Sequence, residues 1–313
     1  MSTLNAACVM SVAEVCRSLD RVRGALGCSD TGLISVHDWG FLRGMGVFES
    51  MRWERGKIPF LHAHLTRLVQ SCERLQFAHP PIDELARRTF DWTKHVCVGD
   101  ESAIVSRAMM EARVRVVITA GPTGRGAGHD GADGGHVVWM LEGLAPVHLL
   151  HDEPIDVVTV TGARFSAVHG GGAGIKTLNY LSATMADRRA MSFGAHEAIA
   201  VTDAGEVLEG TRSNVCIVNG RTLRTPPTEL GILPGIARAF VMRQWAALGY
   251  EVRQQVLHPC DLYEADEVLL TNSVRGVRSV GAIDGYPLPR PLPGVSSVGA
   301  LLQRRWRDQW GGE

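Results

Sequence analysis

Hydrophobic and polar positions along the chain repeat with two different periods, and the switches between them mark out short elements. Residues 1–30 show no clear period. Residues 33–36 and 46–53 read as strands, with a turn back at Arg55, Gly56 and Lys57. Leu61, Leu65, Leu68, Cys72 and Leu75 then recur at helical spacing. Val114, Val116 and Ile118 alternate as a strand does, residues 121–135 are rich in glycine, and residues 136–140 make another strand. A second block opens with a strand at 155–160. A glycine loop at 170–174 then delivers Ile175 and Lys176, and a helix follows over residues 179–193. Residues 198–201 form a strand and 203–205 a turn. Residues 215–218 and 221–223 flank Asn219-Gly220, a pair suited to a type I′ hairpin turn. A helix starts near Leu233-Pro234-Gly235-Ile236 and ends at Gly249, which suits the position just past a helix end. Val252, Gln254 and Val256 alternate as an outer strand would, and residues 267–271 are a short apolar strand. Helices and strands are mixed throughout with tight hairpins, so the expected class is mixed α/β (α+β), without the strict βαβ alternation of a doubly wound sheet.

Composition narrows this picture. With 313 residues the chain has the length of about two domains and can bury a large core without disulfides or metal. A net charge of −1 gives no electrostatic footprint for nucleic acid or a membrane surface. No apolar run is long enough to span a bilayer, and the start MSTLNAACVMSVAEVCRSLDR lacks the basic and apolar regions of a signal peptide. The cysteines (Cys8, Cys16, Cys28, Cys72, Cys97, Cys216 and Cys260) are odd in number and show no CxxC spacing. Free thiols in a reducing compartment are expected, hence a cytoplasmic location, with no metal site.

Only Lys57, Lys94 and Lys176 are lysines, and arginine supplies the rest of the positive charge. A lysine kept in such a chain invites a chemical reason, because its amine can lose a proton and become a nucleophile. The glycine runs fit neither a Walker A loop nor a strand–GxGxxG–helix unit, and there is no GxSxG elbow or HExxH pair. His62 and His64 are two residues apart, so they do not share a helix face as metal ligands would.

The segments HDWGFLRGMGVFESMR, HAHLTRL, GIKTLNYL, VLEGTRSNV, ILPGIAR and ADEVLLTNS run in order from His37 to Ser273. Together they resemble the fold-type IV enzymes that use pyridoxal 5′-phosphate (PLP), a group including branched-chain and D-amino-acid aminotransferases and 4-amino-4-deoxychorismate lyase. The resemblance implies a two-domain, D-amino-acid-aminotransferase-like fold with the cofactor at the domain interface, a small-molecule amino substrate and a homodimer. On that reading residues 1–30 are an N-terminal extension, expected to be partly disordered, and the first ~20 residues lack the first strand usually seen in the family. Residues 31–142 are a small N-terminal α/β domain, 143–154 a linker, and 155–313 a larger C-terminal PLP-binding domain.

Residue by residue, Lys176 matches the lysine that the family joins to the cofactor as a Schiff base and uses to move a proton. Glu209 matches the carboxylate that pairs with the pyridine nitrogen; outside the resemblance it is an ordinary polar residue at a hairpin. Arg67 matches the arginine whose fork binds the cofactor phosphate. Gly235, Ile236 and Ala237 stand at a helix N-terminus, where free N–H groups favour phosphate. Many relatives carry threonine where Ala237 stands, and Ser273 offers another hydroxyl. Tyr180 resembles a tyrosine near the pyridine hydroxyl, and reads equally well as a core tyrosine.

Three positions lean toward the lyase, which makes 4-aminobenzoate and pyruvate. Arg125, in VRVVITAGPTGRGAG, stands where a substrate carboxylate would be held. Asn272 stands where lyases carry asparagine, and Ser50 where a lyase carries a hydroxyl able to assist proton transfer. Other features lean toward an aminotransferase of branched-chain or D-amino acids or amines. Trp39, Arg43 and Met45 depart from the commoner pattern, and YEVRQQVLHPCDLYEADEV reads much like the branched-chain enzymes.

Overall fold

The computed structural model describes residues 5–11, 34–76, 78–98, 111–121, 136–144, 153–166, 173–289 and 297–311. The chain divides into two compact units: Met1–Leu150 with Lys176–Asn179, and His151–Ile175 with Tyr180–Glu313. The four residues Lys176–Asn179 lie within the stretch 155–313 and group with the first unit.

The first unit is built on a four-stranded antiparallel sheet of β1 (Asn5–Ser11), β2 (Gly46–Glu54), β3 (Glu111–Thr119) and β4 (His136–Gly143), in the order β1-β4-β3-β2. Helices α1 (Trp39–Arg43), α2 (Leu61–Arg74) and α3 (Ile82–Val98) complete it. Side chains alternate between the faces of a strand, so Val47, Glu49, Met51 and Trp53 share one face of β2. Val114, Val116, Ile118, Val137, Trp139 and Leu141 continue that face across β3 and β4, and all are buried. Leu65, Leu68 and Cys72 of α2 are buried, as are Leu85 and Trp92 of α3. The Trp139 indole N–H donates to Thr89 Oγ1 at 3.0 Å, which fixes α3 over this face. Burying side chains of this size contributes about 1.5–3 kcal/mol each.

Two expectations are corrected here. Asn5–Ser11 is a strand, paired antiparallel with β4 from Asn5↔Glu142 to Ser11↔His136. Its sequence NAACVMS has no alternation to announce it, because main-chain bonds to a single neighbour suffice for an edge strand. Ile34 to Val36 is not a strand, and Leu33 lies outside the described residues. Ile34 and Val36 are exposed, and the Asp38 N–H donates to the Ser35 carbonyl in a turn that leads into α1. Asp38, fully buried, caps α1 by accepting from the Gly40 N–H at 2.6 Å, and also holds Thr119 and His136.

The second unit contains β5 (Ile155–Thr161), α4 (Leu181–Ser192), β6 (Glu197–Val201), β7 (Val207–Gly210), β8 (Asn214–Asn219) and β9 (Thr222–Thr225). They are followed by α5 (Ile236–Ala247), β10 (Glu251–Gln254), α6 (Pro259–Tyr263), β11 (Glu267–Asn272), β12 (Gly276–Ile283), β13 (Tyr286–Pro287) and α7 (Val298–Gly311). The sheet runs β10-β9-β8-β11-β12-β5-β6-β7, and β7 pairs back with β8 through Glu209↔Asn214. Six strands thereby close on themselves. One buried cluster draws Ile155 and Val157, Ile199, Val207, Val215 and Ile217, Val268 and Leu270, Val280 and Ile283 from all six, so it fills the inside of the closed sheet. Parallel neighbours need a crossover, and α4 links β5 to β6 while α5 links β9 to β10.

The Asn219-Gly220 hairpin forms, with a different turn. Asn219 pairs with Thr222, so the two-residue loop is Gly220-Arg221, and of these two only Gly220 has positive φ (56°). That is the pattern of type II′, which wants glycine first, rather than I′. Asn219 is kept in the strand because its side chain is engaged on both sides, by the Glu264 carbonyl and by Arg224.

Candidate functional site

In the first unit, Lys176 is placed by backbone pairing with β2. The Phe48 N–H donates to the Lys176 carbonyl and the Leu178 N–H to the Gly46 carbonyl, both at 2.9 Å, around an antiparallel bridge between Val47 and Thr177. Asn179 closes the segment by donating to the Gly44 carbonyl at 3.2 Å. Gly44 has φ 66°, and a Cβ there would fall 2.2 Å from Asn179 Oδ1, so only glycine fits. The Lys176 amine lies 4.6 Å from the centre of the Phe48 ring, and the Arg115 guanidinium 5.0 Å from the same ring. Ser50 is two residues along the same face of β2 and directly across from Arg115. Its Oγ is buried and has no hydrogen-bond partner among the described residues.

The opposite face of β2 carries a buried triad of Glu49, Arg67 and His64. Arg67 forks onto Glu49, Nε to Oε1 and Nη2 to Oε2, each at 2.7 Å. His64 Nδ1 lies 2.7 Å from Oε2. Burial opposes ionisation of Glu49, but the Arg67 charge and the His64 hydrogen bond outweigh it and hold the carboxyl at about 2. Burial pushes His64 below its ordinary value despite the pull of Glu49, with Arg67 and Lys176 adding to the effect. The ring is therefore neutral at pH 7, with its Nδ1–H donating to the carboxylate.

In the second unit, Glu209 on β7 is buried and its Oε2 accepts from the Leu233 N–H at 3.0 Å and from the Asn214 amide at 3.3 Å. Asn214 also donates to the Leu233 carbonyl at 2.9 Å. The turn between β7 and β8 is tied down by buried Glu197, which accepts from the Arg212 N–H and the Ser213 hydroxyl. Burial raises the Glu197 carboxyl. Tyr180 donates to the Thr211 carbonyl at 3.1 Å. Gly235 is the N-cap of α5 and offers no side chain to the first-turn N–H groups. A Cβ on Gly235 would lie 1.8 Å from Asn214 Oδ1, so the approach of α5 to β8 requires glycine. Ala237 is buried and Ile236 half-buried. Asn272 Oδ1 accepts from the Val274 and Arg275 N–H groups at 3.1 and 2.8 Å, pinning the turn that contains Ser273.

The structure thus gathers Lys176 and Ser50 on one face of β2, and Glu209 with the start of α5 in the second unit. Arg67 commits two of its five donors to Glu49, and Asn272 commits its carbonyl oxygen to a turn. Arg125 lies outside the described residues. Sequence reasoning missed Glu49, His64, Asn214 and Arg115. Glu49 was legible: a carboxylate at a core-facing position of an alternating strand demands a buried cation. His64 and Arg67 are three apart on one face of α2, which pairs them where the HxH spacing did not.

Residues 46–283 match the family described as amino-transferase class IV. A protein of Methanocaldococcus jannaschii assigned as a branched-chain-amino-acid aminotransferase is 32% identical over 89% of this chain and 92% of its own length. The bifunctional aminodeoxychorismate lyase / D-amino acid transaminase of Mycobacterium tuberculosis is 27% identical over 82% of this chain and 88% of its own. The crystal structure of a branched-chain aminotransferase from Thermoproteus uzoniensis superposes with a TM-score of 0.78 at 22% identity, covering 98% of this chain and 96% of the other. On the match over most of its length and on these full-length relatives, the chain belongs to the class IV aminotransferase family of enzymes.

Proposed function

We propose that the chain is a PLP-dependent aminodeoxychorismate lyase that converts 4-amino-4-deoxychorismate to 4-aminobenzoate and pyruvate, working as a homodimer. The residues present fit the cofactor. Glu209 is a buried carboxylate suited to a protonated ring nitrogen, the N-terminus of α5, without a side-chain cap, suits a phosphate, and Lys176 supplies an amine. When bound, PLP supplies the electron sink that acidifies the carbon bearing the substrate amine.

The observation that carries the lyase reading is the Ser50 hydroxyl. It is buried, has no partner among the described residues, and shares a face of β2 with the Phe48 ring beside the Lys176 amine. Both candidate reactions begin when Lys176 takes the proton from the amine-bearing carbon. A transaminase can return that proton with the same lysine. The lyase breaks the ring carbon–oxygen bond to the neighbouring enolpyruvyl group and must also protonate the departing enolpyruvate, and a second proton-handling group beside the lysine serves that step. Asn272, its oxygen engaged in the turn, keeps its amide N–H groups to donate to a substrate carboxylate, and Arg125 is assigned to the same task.

A second reading, an aminotransferase acting on branched-chain or D-amino acids or amines with a 2-oxo acid acceptor, is favoured by the M. jannaschii relative. One preparation decides between them. The lyase releases pyruvate and 4-aminobenzoate in equal amounts from aminodeoxychorismate with no keto acid added. Strict dependence on an added keto acid, with no pyruvate released, overturns the lyase in favour of transamination. Light scattering should give twice the mass of one chain; a monomer removes the homodimer from the proposal.

A further inference from the structure

We infer that Thr271 is a cofactor-binding residue whose hydroxyl takes the phosphate monoester at the N-terminus of α5. The inference rests on the PLP reading above. Thr271 is 1% exposed, and its Oγ1 is buried with no hydrogen-bond partner among the described residues. Leaving a buried hydroxyl unsatisfied is unfavourable, so such a group in a folded protein calls for a reason. Its position supplies one. Val268 and Leu270 point into the closed sheet, so Thr271 is on the outer face of β11. In the register of β8 and β11 it stands directly opposite Asn214. Cross-strand partners share a face, and their Cβ atoms are roughly 5 Å apart. Asn214 is the residue against which Gly235, the N-cap of α5, is pressed, and its amide donates to the Leu233 carbonyl just before that helix. The unpaired hydroxyl therefore sits on the face that carries the first turn of α5, where the N–H groups of Ile236 and Ala237 and the helix dipole favour an anion. Ala237 has no hydroxyl to offer there, and α5 has no side-chain cap. A threonine hydroxyl can donate to a phosphate oxygen, which is a stronger acceptor than any neutral group.

The test compares PLP with pyridoxal, which lacks the phosphate, by spectroscopic titration of the full-length protein freed of cofactor. Thr271→Val keeps the shape and removes only the hydroxyl. The expected result is PLP affinity about tenfold weaker or more, as for a hydrogen bond to a charged group. Pyridoxal affinity should change less than about twofold, and Thr271→Ser should restore PLP binding. The thermal midpoint of the cofactor-free Thr271→Val protein should not fall, since an unpaired hydroxyl has been removed. Affinities for PLP and pyridoxal that fall by the same factor, or a Thr271→Val protein that keeps the wild-type preference for PLP, overturn the inference and leave the PLP reading standing. A wild-type protein that binds neither compound overturns both.

Discussion

Replacing Lys176 with alanine should abolish the visible absorption of the PLP-loaded protein and lower turnover by about 10⁴-fold, the upper end of what a positioned proton-transfer group contributes. The loss is chemical and not a failure to fold. Lys176 is held through its carbonyl to the Phe48 N–H, and the flanking bonds at Thr177 and Leu178 are also main-chain, so alanine keeps every one of them. The contact of its amine with the face of the Phe48 ring is worth only about 0.5–1 kcal/mol. Lys176→Arg separates charge from nucleophilicity. It retains the cation near Phe48 but stays protonated, so it should be as inactive as alanine while restoring that small stabilisation. Borohydride should fix the cofactor irreversibly to the wild-type chain and to neither variant. A Lys176→Ala protein that keeps its colour and turns over at the wild-type rate would falsify the assignment.

Lys176 and Glu209 are singled out in the sequence by the motifs GIKTLNYL and VLEGTRSNV and the resemblance these carry; a glutamate at a hairpin, taken alone, announces nothing. The elements β2 and α2 are legible by their periods, which survive in the local sequence. Elsewhere the deciding contact lies far along the chain. Asn5–Ser11 becomes a strand because β4, some 130 residues later, offers it an edge. Asn219 moves from turn to strand because Glu264 and Arg224 engage its side chain, a fact no dipeptide rule contains. Asn272 carries a residue type that suits substrate binding, but its oxygen is spent on the turn at Val274 and Arg275. Arg67 is found by motif, and its fork onto Glu49 depends on the packing of α2 against β2, which periodicity alone does not set. The helix Ile82–Val98 goes unread although Asp83 and Glu84 mark its first turn in the manner expected of a helix start.

The triad of Glu49, Arg67 and His64 should make the first unit acid-labile in two stages. Glu49 falls from an ordinary 4.5 to about 2 on folding. A group whose folded value is depressed stabilises the fold above its unfolded value and loses that contribution as pH drops through the folded one. Stability should therefore decline between about pH 4.5 and pH 2, by about 3 kcal/mol in all. His64 is also depressed, by burial, so the unfolded chain takes up a proton first; its share of the loss begins as pH falls below 6.5, ahead of that of Glu49. Glu49→Gln keeps the size of the side chain and removes its charge. It leaves the Arg67 guanidinium without its carboxylate in a largely buried setting, which costs about 3–5 kcal/mol at neutral pH. The variant should accordingly unfold at lower denaturant and show a flatter stability profile from pH 4.5 down to 2. Adding Arg67→Met to Glu49→Gln should recover part of that loss, because the charge that Glu49 balanced is then gone; with Arg67→Met alone as the fourth corner, the cycle gives the coupling energy of the pair. The double variant also separates two tasks of Arg67, since it should regain stability while binding PLP more weakly than wild type. An unchanged denaturation midpoint in Glu49→Gln, with the same pH profile as wild type, would show that the triad contributes nothing to the fold and that Arg67 is held by other contacts.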